Sequence, residues 1–146
     1  MAPIRPQLLK LKELGESLEQ TENKRQKVLT FMRESPFICF MKDAETGRYQ
    51  FMSRKGCEAL QKTETEIIGH TDWELFPEEL AKRMIGHDLK VLKSRSPLVA
   101  IETRAYRDND PGIYLISKFL VVNGAESIGG IALELPDTFK VESGDL

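Results

Sequence analysis

The strongest constraint on this chain is a change of apolar period at Pro36. From Gln7 to Glu34 there is no proline and one glycine, Gly15, in a dense run of Lys, Glu, Gln and Leu. These residues are strong helix formers. With Ile4 as position a of a heptad, Leu11, Leu18, Arg25 and Met32 also fall at a, and Leu14, Thr21 and Val28 at d. The seam is apolar at both ends, and Thr21 and Arg25 interrupt its middle. Such a stripe predicts a helix that buries one side, by coiled-coil pairing or by packing on its own domain. Pairing is favoured, since a lone helix of this length is marginal in water. Pro36 ends it, because the residue before a proline is pushed out of the helical region.

Beyond Pro36 the period is two. Ile38-Cys39-Phe40-Met41 reads as a strand, Lys42 to Gly47 as a turn, and Arg48 to Met52 as the second strand of a hairpin. Lys55 to Gln61 is short and helical, and Thr63 with Glu66 three residues on has the form of a capping box. Thr71 to Pro77 reads as a compact loop or helical turn. Pro77 suits the first turn of a longer helix over 78–93, which stops before Pro97. Three strand-like runs follow, Leu98–Tyr106, Ile113–Val122 and Ser127–Leu135, joined by turns rich in Asn, Asp, Pro and Gly. This order predicts an α+β fold: a five-stranded antiparallel sheet with helices on one face, preceded by the amphipathic helix. The expected units are a helix over 1–35, a domain over 36–136 and a short acidic, frayed tail over 137–146.

The length of 146 residues suits one domain with a modest appendage, and 40% hydrophobic residues can fill one core. A balance of 21 basic against 23 acidic side chains gives no general footprint for nucleic acid. No apolar run approaches a membrane span, and the start lacks the apolar region of a secretory signal. Only Cys39 and Cys57 are present, outside any CxxC, so reduced thiols in a cytoplasmic protein are expected. Neither a nucleophile with partners, nor an HExxH, nor a phosphate-binding glycine loop is found, so no enzyme is expected. Asp72 reads as a cap for the turn around Trp73.

Further residues carry a resemblance. Phe40-Met41-Lys42-Asp43 followed by Gly47-Arg48-Tyr49 resembles the start of a PAS domain. Glu66-Ile67-Ile68-Gly69-His70-Thr71-Asp72-Trp73-Glu74-Leu75-Phe76-Pro77 is similar to the segment "eeiiGktDfelfp" of bacterial sensory PAS domains. Asp88, Val91-Leu92, Pro97, Glu102, Lys118 and Gly129-Gly130-Ile131 fall where that family has its later signals. The match runs from Pro36 to Leu135. Ser53 replaces an asparagine common after the second strand, which predicts a weaker local cap. Glu134-Leu135-Pro136 replaces the family's closing Asp-Ile-Thr, so the expected route of output is the amino-terminal helix rather than a carboxyl-terminal effector.

The resemblance implies a stand-alone sensor or dimerisation module in signal transduction. It would bind a small organic ligand or a signalling protein partner and transmit through its amino-terminal helix. A structural adaptor with a filled core is the alternative, and a haem sensor the third reading. Flavin relatives carry an Asn-Cys-Arg-Phe-type motif that the surroundings of Cys57 lack. His87 lies late on the long helix beside Asp88 and reads as exposed or capping, as does His70 in its loop. No cofactor and no metal is therefore expected.

Alternation assigns the faces once one residue per strand is fixed. If Lys42, Lys118, Glu102, Arg104 and Gln50 reach water, the interior is lined by Tyr49, Phe51, Ser53, Ile101, Ser117 and Phe119. Trp73 and Met84 complete that candidate pocket from the helical side. Ile38, Phe40, Tyr114, Ile116 and Leu120 then form an apolar outer face that demands cover. The expected cover is the amino-terminal helix, in a homodimer with Leu11, Leu14, Leu18, Val28, Ile38, Phe40 and Ile116 at its interface.

Overall fold

The computed structural model describes residues 4–104, 112–136 and 138. The turn read at Arg107 to Gly112 and the acidic tail fall almost wholly outside those residues. The chain divides into two units, one up to Met32 and one from Arg33 onward.

The first unit is helix α1, Arg5–Arg33, with Pro6 in its first turn, where the missing N–H costs nothing. None of its residues is buried. The heptad side chains Leu11, Leu14, Leu18 and Val28 are 56–65% exposed. Thr21, within the polar interruption, turns its hydroxyl back to the Ser17 carbonyl at 2.9 Å.

The second unit holds β1 (Ile38–Asp43), β2 (Tyr49–Met52), α2 (Arg54–Leu60), α3 (Glu64–Ile67), α4 (Asp72–Leu75), α5 (Glu78–Ser94), β3 (Leu98–Arg104), β4 (Gly112–Asn123) and β5 (Ala125–Glu134). The five strands form one sheet in the order β2-β1-β5-β4-β3, and every neighbouring pair is antiparallel. This is the predicted α+β sheet with helices. The caps follow local chemistry: Thr63 and Glu66 close a capping box on α3. Ser53 caps α2, accepting from the Gly56 N–H at 3.2 Å and the Cys39 N–H at 3.0 Å.

Residues paired across the sheet share a face, and the pairing reverses the expected orientation. Ile38, Phe40 and Lys42 face inward, together with Tyr114, Ile116 and Lys118, and all six are buried. Glu102, paired with Tyr114, is buried as well. The outer face carries Ile101, Leu115, Ser117, Phe119, Ile131 and Leu133. In β1, β3 and β4 alternation groups the residues as the structure has them, but the phase is inverted, because the anchors Lys42, Glu102 and Lys118 are buried rather than in water. In β2 a register shift, with Phe51 opposite Met41 and Tyr49 opposite Lys42, puts Phe51 on the outer side and Tyr49 on the inner.

The core comprises Ile38, Phe40, Tyr49, Met52, Ala59, Leu60, Ile67, Tyr114, Ile116 and Ala132. Gly130 is needed there. A Cβ on it would lie 2.1 Å from the Phe40 ring, which occupies that space.

Candidate functional site

The interior is organised around four buried charges. β1 supplies Lys42 and β4 supplies Lys118, with 1% and 0% exposure; α4 supplies Asp72 and α5 supplies Asp88. Lys42 Nζ donates to Asp72 Oδ2 at 2.7 Å and to Asp88 Oδ2. Lys118 Nζ donates to Asp88 Oδ1 at 2.7 Å and to the Met84 carbonyl at 3.0 Å. The Tyr49 hydroxyl donates to Asp72 Oδ1 at 2.7 Å. Both lysine ammonium groups also lie near the Phe40 ring, at 5.8 and 5.9 Å from its centroid.

Local structure aims these groups. Asp72 opens α4, whose start is fixed by the Thr71 N–H donating to the Glu74 carboxylate at 3.3 Å. That bond holds the Glu74 carboxyl below the usual carboxylate range. On α5, Met84 and Asp88 are one helical turn apart on the buried side, so one lysine reaches both. Each ion costs several kcal/mol to desolvate, and only the matched charges and filled hydrogen bonds make the cluster tolerable. A second link lies beside it: His87 Nδ1 is 2.6 Å from the buried Glu102 carboxylate, joining α5 to β3. His70 is exposed, with Nε2 4.0 Å from Glu74.

The candidate pocket is not assembled. Tyr49 and Met84 are in the interior, yet both serve the ionic cluster. Ser53 is a helix cap, and it also donates to the Phe37 carbonyl at 3.0 Å. Phe51, Ile101, Ser117 and Phe119 belong to the opposite face of the sheet. Trp73 is 52% exposed on α4. Of the expected interface, Leu11, Leu14, Leu18 and Val28 are exposed, but Ile38, Phe40 and Ile116 are consumed by the chain's own core.

Trp73 instead stands at the mouth of an open cleft of about 210 Å³ between the β1–β2 loop, α4 and α5, floored by Lys42, Asp72 and Asp88. Sequence reasoning missed the ionic cluster and this cleft. The available signal was a lysine on each of two strand faces whose other members, Ile38 and Phe40, and Tyr114 and Ile116, are apolar. Among the described residues, no group of three His, Cys, Asp or Glu side chains is placed to hold a metal ion. Nor is any helix there long and apolar enough to cross a membrane.

A five-stranded antiparallel sheet in this order, with four helices inserted between its second and third strands, defines a small α+β domain. The sequence matches the PAS fold family over residues 32–135, and the chain belongs to that family. PAS domains are signal-sensing modules. No curated protein matches the sequence. Among solved structures, the chain is similar to the PAS domain of Bordetella pertussis BvgS, with 15% identity, 80% of this chain and 89% of that one covered, and a TM-score of 0.67. It is similar to the PAS domain of an HTR-like protein from Haloarcula marismortui, with 18% identity, 83% and 99% coverage, and a TM-score of 0.57. Vibrio cholerae VqmA, solved as a dimer, gives 17% identity and a TM-score of 0.69 over 82% of this chain and 55% of VqmA.

Proposed function

We propose that this PAS domain is a non-catalytic sensor that works as a homodimer, with a second copy seated on the outer face of the sheet and the signal leaving through α1. The observation that carries this is the outer face itself. Val99 on β3, Leu115 on β4 and Ile131 and Leu133 on β5 are 67, 36, 41 and 40% exposed, next to half-buried Ile101 and Phe119. An aliphatic face spread over three strands needs cover in water. A two-fold pairing covers both copies with one self-complementary contact. The exposed stripe of α1, broken by Thr21 and Arg25, suits pairing with its mate and a seam weak enough to shift. VqmA's solution as a dimer is consistent with this mode of work. The buried ion pairs of Lys42 and Lys118 with Asp72 and Asp88 support input by association or by a ligand at the edge of this cluster. A cytoplasmic site of action fits the two free thiols.

Sedimentation of the full chain decides the matter. A dimer is expected at micromolar concentration, and Ile131→Glu with Leu133→Glu should weaken it at least tenfold. A full chain that is monomeric throughout that range overturns the proposal.

A further inference from the structure

We infer that the cleft beside Trp73 is the input site, taking a small aromatic organic cation, a one-ring amine in size. This deepens the sensor reading above and rests on it. Size comes first: an apolar cavity of about 150 Å³ is large enough for benzene, and this cleft, at about 210 Å³, has room for one ring with a short ammonium arm.

The lining sets the chemistry. Trp73 and Leu89 are 52 and 59% exposed at the cleft, large apolar surfaces kept in water by a domain that buries Lys42 and Lys118. Four carboxylates, Asp43, Glu45, Asp72 and Asp88, line it against the single ammonium of Lys42. Lys42 and Lys118 together balance Asp72 and Asp88, so the field at the mouth comes from Asp43 and Glu45. Asp43 accepts the Thr46 N–H at 2.7 Å, which keeps its carboxyl below the usual range and charged. An exposed indole face beside fixed negative charge is a cation–π site with an ionic partner.

The floor connects the cleft to the rest of the domain. Asp88 is the member of the cluster with an accessible edge, its side chain 13% exposed. An ammonium seated at the mouth would draw on that edge and so bias the bonds that Asp88 makes to β1 and β4. Binding would then change how α5 is held to the sheet, whose other face carries the proposed dimer contact.

Phenethylamine is the probe, titrated into the full chain and followed by the fluorescence of Trp73, the only tryptophan, and by backbone amide chemical shifts. Saturable binding is expected with a Kd of roughly 1 mM or tighter, as befits a ligand of under a dozen heavy atoms. Phenylacetate and phenylethanol should bind at least tenfold more weakly. Glu45→Gln, on an exposed loop, should weaken the amine several-fold, and Trp73→Ala, followed by amide shifts, should abolish binding. Phenylacetate binding as well as the amine overturns the inference, as does binding that survives Trp73→Ala. A lysine-containing peptide that saturates where phenethylamine does not would assign the cleft to a partner's side chain and overturn it too. Sedimentation without any ligand tests the dimer separately, so failure of one is distinguishable from failure of the other.

Discussion

The two faces of the sheet each depart from the usual distribution of polarity. The inner face holds Lys42, Lys118 and Glu102 out of water, while the outer face leaves Val99, Leu115, Ile131 and Leu133 in it. On the inner side, polar groups are admitted because each finds a partner on a helix, Asp72 on α4 or Asp88 and His87 on α5. On the outer side, the exposed aliphatic groups Val99, Leu115, Ile131 and Leu133 lie on three strands. Burial is therefore decided by available partners as much as by hydrophobicity. The inner face is finished within one chain; the outer face is the one the proposed second copy would cover.

The comparison breaks most readily at Asp88. Asp88→Ala takes a carboxylate from Lys118 and one of two from Lys42, and underpairing buried charge in this way costs about 3–5 kcal/mol. Chemical denaturation measures the loss. The double replacement Asp88→Leu with Lys118→Met removes one charge of each sign and should recover most of it, the Lys42–Asp72 pair remaining intact. A double variant no more stable than Asp88→Ala would show that the cluster is not held by charge matching.

A smaller effect separates two adjacent glycines of β5 that point to opposite faces. An added Cβ at Gly130 meets the Phe40 ring at 2.1 Å in the packed interior, so Gly130→Ala should cost about 1–3 kcal/mol. At Gly129 the nearest atoms are the ends of Phe119 and Val121 side chains on the half-open outer face, at 2.8 and 2.9 Å. These can swing aside, and the alanine also restricts the unfolded chain, so Gly129→Ala should fall well below its neighbour in thermal denaturation. Equal losses would mean that the outer face is as tightly packed as the inner.

Smallest of all is the effect of Leu133→Glu on the stability of the isolated domain, expected within about 0.5 kcal/mol because the side chain is already 40% exposed. A large loss measured at concentrations where the chain is monomeric would show that this face is part of the chain's own core.

Element order and strand grouping were legible because they depend on neighbours in sequence. Period two put Ile38, Phe40 and Lys42 together, and Tyr114, Ile116 and Lys118 together, as the structure has them. Which group faces inward depends on bonds between Lys42 and carboxylates 30 and 46 residues away, which no local pattern records. The candidate pocket failed for that reason, and the interface residues Ile38, Phe40 and Ile116 failed with it. Phe51 failed separately, because the register shift in β2 suspends alternation where it was being used. Ser53 was expected to be a weak cap, yet its hydroxyl serves two N–H donors and one carbonyl.

The attachment of α5 to the sheet has a dynamic consequence. Asp88 bridges two strands, β1 and β4, that are not neighbours in the sheet, since β5 lies between them. Lifting the helix would part its carboxylate from both lysines, which are 1% and 0% exposed. Freeing one lysine while the other stays paired leaves buried charge underpaired, so the two contacts are expected to open as one, in the manner of a latch. Hydrogen exchange along α5 should consequently show its buried amides opening together, with one common protection.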